Sequence, residues 1–154
     1  MKVLLVDDNE IYLEVSEAAL SSLGFQVVKS GSALGFTAAL AETKPHIALV
    51  DVLMPAINGN HLVEIARRRQ KRRTATSSSA QSADAPECLF ILHSNLPEAD
   101  LQMLADRCGA QGYIRKSSRP GTLGQQLCDF LRQRGVTPPR PTDASLASSA
   151  GRIP

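Results

Sequence analysis

Residues Val3 to Glu10 read VLLVDDNE, a run of four apolar side chains that ends in two adjacent carboxylates. A short continuous apolar run is typical of a strand that is buried on both faces of a parallel sheet. Neighbouring aspartates repel each other, and their burial is costly unless they are paired or bound to a cation. The stretch therefore predicts a buried strand whose carboxyl end is either solvated or next to a positive charge.

The same pattern continues along the chain. Four more apolar runs of strand length follow, and a segment with apolar residues at helical spacing comes after every run. The predicted strands are 3–6, 25–28, 47–50, 88–92 and 112–115, and the predicted helices are 10–23, 32–43, 60–71, 98–107 and 122–133. Five repeats of a strand and a helix are typical of an α/β protein with a parallel sheet and helices on both faces.

Two stretches do not fit a packed core. Residues 74–86, TATSSSAQSADAP, carry almost no large apolar side chains and are long for a connection within a domain, so we predict an inserted loop. Residues 135–154 are rich in Pro, Ser and Ala, which predicts a disordered tail. We therefore expect one domain over residues 1–134, no output domain in the tail, and output through partners.

Composition argues against several classes of protein. In 154 residues no apolar run approaches the roughly 20 residues that span a bilayer, and the first residues do not resemble a secretory signal. The cysteines, Cys88, Cys108 and Cys128, form no CxxC pair and predict free thiols in a reducing compartment. The basic run 67–73 predicts a solvated helix end, and the three histidines form no ligand set. We expect a cytoplasmic protein without direct DNA or membrane binding.

Polar residues follow four of the five predicted strands. Asp7 and Asp8 follow the first strand, Asp51 the third, Ser94 the fourth and Lys116 the fifth. Ligands of open parallel sheets bind at the carboxyl ends of the strands, so these residues form a candidate site. Three carboxylates suit a hard cation such as Mg²⁺, and a lysine with a hydroxyl suits phosphoryl oxygens. One carboxylate can then act as a nucleophile, and the lack of a glycine-rich phosphate loop argues against nucleotide binding.

With these features the chain resembles the receiver domain of two-component response regulators over about residues 1–134. The matching residues are the pair Asp7 and Asp8, the stretch 51–59 reading DVLMPAING, Ser94 in LHSN, and Tyr113 and Lys116 in GYIRK. The resemblance implies a flavodoxin-like, doubly wound parallel sheet with strand order 2-1-3-4-5.

The resemblance also implies the chemistry of the site. Asp51 is expected to accept a phosphoryl group from the phosphohistidine of a histidine kinase or phosphotransfer protein. Asp7, Asp8, Asp51 and the backbone carbonyl of Leu53 are expected to bind Mg²⁺. Such a protein catalyses its own phosphoryl transfer and slow dephosphorylation, and it is not an enzyme that acts on a separate substrate.

A conformational switch is the second implication of the resemblance. Lys116 and Ser94 would hold the phosphoryl oxygens, and movement of Ser94 would let Tyr113 turn inward. That change would alter the face made by the fourth helix, the fifth strand and the fifth helix, where a downstream protein partner would dock. A second copy of the chain would be able to dock on the same face, so a homodimer stays an open alternative.

Two residues depart from the family's pattern. Ser117 follows Lys116 where the family usually has a proline with a cis peptide bond, and since a cis bond before a residue other than proline is costly, the sequence leaves open whether this loop keeps the cis form. Asn95 stands directly after Ser94, where the family commonly has Ala or Gly, and its larger side chain is expected to narrow access to the phosphoryl group. A pseudo-receiver that binds proteins without phosphorylation therefore stays open as an alternative. The other class left open is an aspartyl-phosphate hydrolase of the haloacid dehalogenase type, which would need a DxD motif after its first strand, whereas the two acids here are adjacent.

Overall fold

The computed structural model of the protein describes residues 1–76, 87–117 and 119–141. Strands and helices alternate throughout these ranges, as the apolar runs predict. The elements are β1 (Lys2–Val6), α1 (Glu10–Ser22), β2 (Gln26–Ser30), α2 (Phe36–Thr43), β3 (Ile47–Asp51), α3 (Gly59–Thr76), β4 (Leu89–Ser94), α4 (Glu98–Cys108), β5 (Gly112–Arg115) and α5 (Leu123–Gln133). A single 3₁₀ turn, Pro120–Thr122, precedes α5.

The five strands form one parallel sheet in the order β2-β1-β3-β4-β5. This order confirms the flavodoxin-like expectation. The register places Asp51 beside His93 across β3 and β4, and Ser94 beside Arg115 across β4 and β5. The carboxyl ends of β3, β4 and β5 therefore lie side by side at one edge of the sheet.

Two hydrophobic cores cover the two faces of the sheet, because successive strand residues point to opposite sides. Leu4 and Val6 of β1 belong to one core, and Val3 and Leu5 belong to the other. The first core includes residues of α2, α3 and α4, namely Phe36, Leu62, Val63, Leu101 and Ala105. The second includes residues of α1 and α5, namely Leu13, Leu20, Leu123, Leu127 and Leu131. Helices thus lie on both faces, as expected.

The bounds of α2 and α3 differ from the sequence prediction by several residues, whereas those of the other helices differ by one. Helix α2 begins at Phe36 instead of residue 32, and Gly35 at its N-terminus offers no side-chain cap. Helix α3 continues to Thr76, so the first three residues of the predicted loop 74–86 are helical, which corrects that prediction. Arg, Lys and Gln are good helix formers, and they extend α3 after its apolar positions end. Residues 77–86 lie outside the described residues, and the insertion stays a prediction for them.

The packed part of the chain also extends beyond the predicted domain end at residue 134. Val136 donates its backbone N–H to the Leu131 carbonyl at 2.9 Å and packs against the core between α1 and α5. The backbone of Arg140 lies directly against Gly24, where an added Cβ would overlap the Arg140 carbonyl oxygen. The predicted tail thus begins with a packed segment, and residues 142–154 lie outside the described part of the chain.

Candidate functional site

Backbone hydrogen bonds continue past the strand ends and hold the candidate residues in register. The Asp7 N–H donates to the Ser30 carbonyl at 3.2 Å, which extends the pairing of β1 with β2. The Lys116 N–H donates to the Ser94 carbonyl at 2.9 Å, which extends the pairing of β4 with β5. Asp51 is itself the last residue of β3. Sheet geometry therefore positions the backbone of all four residues.

Lys116 lies between two buried carboxylates. Its Nζ is 2.5 Å from Asp7 Oδ2 and 3.0 Å from Asp51 Oδ2, and the three side chains are 10%, 1% and 6% exposed. One ammonium thus faces two carboxylates, which leaves the trio with a net negative charge. Asp8, in contrast, is exposed. The adjacent acids of the sequence therefore have different environments, since the first is paired with lysine and the second is solvated.

The three acids are also close enough to share a cation. Asp7, Asp8 and Asp51 each offer a carboxylate oxygen, and these oxygens all lie within 4.8 Å of one another. A donor set of oxygens alone suits a hard divalent cation. The backbone N–H of Leu53 donates to Asp51 Oδ1 at 3.2 Å, which orients the acceptor carboxylate. The ligand role expected for the Leu53 carbonyl stays a prediction.

Burial and charge act in opposite directions on Asp51. The pKa of its carboxyl group is raised above the ordinary value, because burial, the largest effect, and the nearby Asp7 charge raise it more than Lys116 and the hydrogen bond from the Leu53 N–H lower it. A nucleophilic carboxylate has to be unprotonated. Positive charge at this edge of the sheet therefore favours the reactive form of Asp51.

Gly59, the last residue of the DVLMPAING motif, packs against the backbone of Asp51. A Cβ at this position would overlap the Asp51 carbonyl oxygen and lie 2.9 Å from Val50 Cγ1. The Gly59 N–H also donates to the Val52 carbonyl at 3.1 Å, which closes the loop between β3 and α3. Only glycine allows α3 to begin this close to the acceptor.

Gly59→Ala is expected to destabilise the fold by about 1–3 kcal/mol, because the added methyl group must displace the end of β3. Urea unfolding of the variant measures the loss. Gly31→Ala is the matched control, since nothing lies within 4 Å of a Cβ at that position. Equal stability of the two variants would contradict the close packing of α3 on Asp51.

The two expected switch residues lie on β4 and β5 and differ in their contacts. Ser94 is buried, and its Oγ has no hydrogen-bond partner among the described residues. A buried hydroxyl without a hydrogen-bond partner is unusual and destabilises the fold. The Ser94 hydroxyl is therefore available to donate to an acceptor atom that enters the site. Tyr113 is half-buried, and its hydroxyl donates to Glu98 Oε1 of α4 at 3.0 Å.

Sequence reasoning missed a histidine and a tyrosine beside the site. His93, buried in β4, has its Nδ1 2.8 Å from the Ile114 carbonyl and its Nε2 2.6 Å from the Tyr12 hydroxyl. The ring of Tyr12 lies 4.6 Å from Lys116 Nζ. A histidine inside the apolar run of β4 was the one available signal, and no pattern linked it to Tyr12.

The pKa of His93 is lowered from its ordinary 6.5 to about 4, mainly by burial and in smaller part by the charge of Lys116, while the hydrogen bond to the Ile114 carbonyl opposes the shift. Between pH 4 and pH 6.5 the folded state therefore binds fewer protons than the unfolded state. The stability of the folded state therefore rises with pH over this range. Above pH 6.5, His93 is expected to contribute up to about 3 kcal/mol to the free energy of unfolding, and this contribution is lost as the pH falls toward 4.

Urea unfolding between pH 4.5 and pH 7 measures this contribution. His93→Gln should flatten the dependence on pH, whereas exposed His61→Gln should retain the wild-type dependence. If His93→Gln kept the whole dependence, the buried neutral imidazole would not be its source.

The remaining sequence predictions concern the loop after β5, the cysteines and the basic run. The peptide bond between Lys116 and Ser117, which the sequence left open, is trans, and all three cysteines are free thiols as predicted. Part of the basic run is paired on the surface of α3, where Arg67 contacts Glu87 at 2.9 Å and Arg68 contacts Glu64 at 2.6 Å. None of the helices in the described ranges is both long and apolar enough to cross a bilayer.

Comparison with known proteins gives one family and many relatives. The family model described as the response regulator receiver domain matches residues 3–128. The transcriptional regulatory protein GltR of Pseudomonas aeruginosa is 30% identical over 141 residues, which are 92% of this chain and 53% of GltR. The phosphate regulon regulator PhoB of the same species is 26% identical over 133 residues, or 86% of this chain and 52% of PhoB. The chain thus spans about half the length of these curated relatives.

Solved structures share the fold at lower identity. The response regulator domain of Thermotoga maritima CheB superposes with a TM-score of 0.67 at 24% identity, over 90% of this chain and 98% of that domain. The chemotaxis protein CheY4 of Vibrio cholerae superposes with a TM-score of 0.65 at 19% identity, over 86% of this chain and 96% of CheY4. At this identity the two structures support the fold alone.

Proposed function

Because the chain belongs to the response regulator receiver domain family, we propose that it is a response regulator whose Asp51 accepts a phosphoryl group from a histidine kinase or phosphotransfer protein. One observation carries the proposal. The Asp51 carboxylate is held at the end of β3 between the Lys116 ammonium and the Leu53 N–H, with two further acids beside it. A carboxylate in this position is an oriented nucleophile with a cation beside it.

The proposed transfer is a single displacement at phosphorus. A carboxylate oxygen of Asp51 attacks the phosphorus of the donor phosphohistidine, and the new bond gives an aspartyl phosphate. The phosphorus–nitrogen bond breaks, and the imidazole nitrogen keeps its electron pair. Lys116, which faces Asp51 at 3.0 Å, supplies positive charge to the phosphoryl oxygens as they arrive. The chain catalyses this step and slow self-dephosphorylation, and it acts on no separate substrate.

The acidic residues fit the Mg²⁺ ion that is typical of the family. Asp7, Asp8, Asp51 and the Leu53 carbonyl would hold it, and their donor atoms are the oxygens that this ion prefers. Bound Mg²⁺ would neutralise charge on the transferring phosphoryl group.

Asp8→Asn is expected to weaken Mg²⁺ binding at least about tenfold, or about 1.4 kcal/mol, because it removes one of three clustered charges. Asp8 is the informative position, since it is exposed and the ion pairs of Lys116 with Asp7 and Asp51 stay in place. Calorimetric titration measures the affinity, and exposed Asp100→Asn on α4 serves as the control. Unchanged affinity in the Asp8 variant would exclude Asp8 as a ligand.

The proposed output is a conformational change at the face of α4, β5 and α5. Ser94 has a buried hydroxyl that is free to donate to a phosphoryl oxygen, and Tyr113 is held outward by Glu98. A shallow cavity of about 440 Å³ lies on this face, lined in part by Tyr113, Phe130 and Arg134. We place the docking of a downstream protein partner, or of a second copy, on this surface. A kinase partner and three free thiols fit a cytoplasmic location.

The second candidate is a pseudo-receiver that binds a protein partner without phosphorylation. Asn95 and Ser117 favour it, because both depart from the family's pattern beside Ser94 and Lys116. Incubation with acetyl phosphate and Mg²⁺, read by intact mass, separates the two candidates. A gain of about 80 Da supports the phosphoacceptor. No gain from acetyl phosphate, phosphoramidate or a histidine kinase supports the pseudo-receiver.

A further inference from the structure

A tyrosine and a histidine form a hydrogen-bonded pair next to the acids, and the mechanism above uses neither. Tyr12 lies in the first turn of α1, directly after the acidic pair, and His93 lies in β4 beside Asp51. The Tyr12 hydroxyl is 2.6 Å from His93 Nε2, and the two rings are 5.6 Å apart at an angle of 43°. The pair thus connects the helix that follows the acids to the strand beside the acceptor.

The direction of the hydrogen bonds follows from the Ile114 carbonyl. A carbonyl can only accept, so His93 Nδ1, at 2.8 Å from it, carries the proton and donates. With the ring proton on Nδ1, the neutral tautomer leaves Nε2 as an acceptor. The Tyr12 hydroxyl is therefore the donor to Nε2. The strand backbone fixes the imidazole, and the imidazole fixes the tyrosine ring.

The fixed ring of Tyr12 contacts the cation of the site. Lys116 Nζ lies 4.6 Å from the ring centroid, which is within the range of about 6 Å for a cation–π interaction. The ammonium thus has three neighbours, namely the carboxylates of Asp7 and Asp51 and the ring. Lysine has a flexible four-carbon side chain, and an aromatic surface on one side restricts where its ammonium can go.

We propose that Tyr12 and His93 are positioning residues for phosphoryl transfer, with the ring of Tyr12, anchored on His93, holding the Lys116 ammonium next to the acceptor oxygen of Asp51. The inference rests on the proposed function, because the position of Lys116 affects the rate only if Asp51 accepts a phosphoryl group. Neither residue touches the reacting atoms, and both act through Lys116. Misplacement of a catalytic group by even 1 Å reduces a rate strongly.

The experiment compares phosphorylation rates with acetyl phosphate at saturating Mg²⁺. Tyr12→Leu removes the ring and should slow the reaction about tenfold, whereas Tyr12→Phe keeps the ring but loses the hydroxyl that bonds His93, and should slow it about threefold. Lys116→Ala should be at least as slow as Tyr12→Leu, and the double variant should be no slower than Lys116→Ala. A wild-type rate in folded Tyr12→Leu protein, or additive slowing in the double variant, would overturn the proposal. If the Tyr12→Leu protein does not fold, Tyr12→Met is measured in its place.

A second measurement reads the position of Lys116 without any phosphoryl transfer. The Nζ ammonium of Lys116, followed by nitrogen NMR, should give a protected signal in wild-type and Tyr12→Phe protein and lose it in Tyr12→Leu. If wild-type protein gains no phosphoryl group, the proposed function fails and this signal alone decides the inference. Loss of the signal in Tyr12→Leu but not in Tyr12→Phe then supports it, and an unchanged signal in Tyr12→Leu overturns it.

Discussion

Asp51→Asn protein will gain no phosphoryl group from acetyl phosphate and Mg²⁺, whereas wild-type protein will gain about 80 Da. The amide of asparagine is a poor nucleophile, while its shape is nearly that of aspartate. The two other acids do not replace Asp51. Asp7 and Asp8 are expected to be committed to Mg²⁺ and its waters, which makes them poor nucleophiles. Intact mass spectrometry, at a pH that keeps the protein folded, measures the mass of the adduct.

The control for this prediction is exposed Asp100→Asn on α4, which should gain the full adduct at the wild-type rate. Circular dichroism should show that Asp51→Asn keeps the fold, because the Leu53 N–H can still donate to the side-chain oxygen. A full adduct on folded Asp51→Asn protein would place the acceptor elsewhere and refute the mechanism proposed for Asp51.

Lys116→Ala is expected to lower the free energy of unfolding by about 3–5 kcal/mol in the absence of divalent cations. The substitution leaves the buried carboxylates of Asp7 and Asp51 facing each other without the cation between them. Urea unfolding in the presence of a chelator measures the loss. Added Mg²⁺ should restore part of it and should stabilise the variant more than the wild-type protein, since binding to the folded state adds to stability.

The chain offers a matched control in Lys29, which also contacts two carboxylates. Its Nζ lies 2.5 Å from Glu14 and 2.5 Å from Glu17, but all three groups lie on the surface of the protein. Solvent screens exposed pairs, so Lys29→Ala should have a much smaller effect. If the two variants lost the same stability, burial of the Lys116 trio would contribute nothing, and the prediction would be wrong.

Local patterns in the sequence were sufficient for the fold. The strands of a parallel sheet are buried on both faces, so 3–6 and 47–50 are nearly continuous apolar runs, and each is followed by helical periodicity. The resemblance then implied the strand order, which the structure confirms. The ends of elements were less certain, because α3 lacks a strong stop signal at residue 71 and continues to Thr76.

The same patterns identified the candidate residues but not their environments. An acid at the end of a strand is visible in the sequence, and Asp7, Asp8 and Asp51 were all found that way. Burial of Asp7 and exposure of Asp8 depend on how the chain leaves β1, and on Lys116, which lies more than a hundred residues later. Both acids lie beyond the last residue of β1, so the alternation of a strand does not predict which of them is buried.

What the sequence determined by itself is therefore the periodic part of this protein, namely the strands, the helices and the polar residues at the strand ends. Only the tertiary structure decided which of these residues meet. Tyr12 and His93 are 81 positions apart and come together because β4 lies beside β3 and α1 covers that face. Periodicity encodes which side of an element is buried, whereas contacts between distant residues depend on strand register and helix packing, which no local pattern contains.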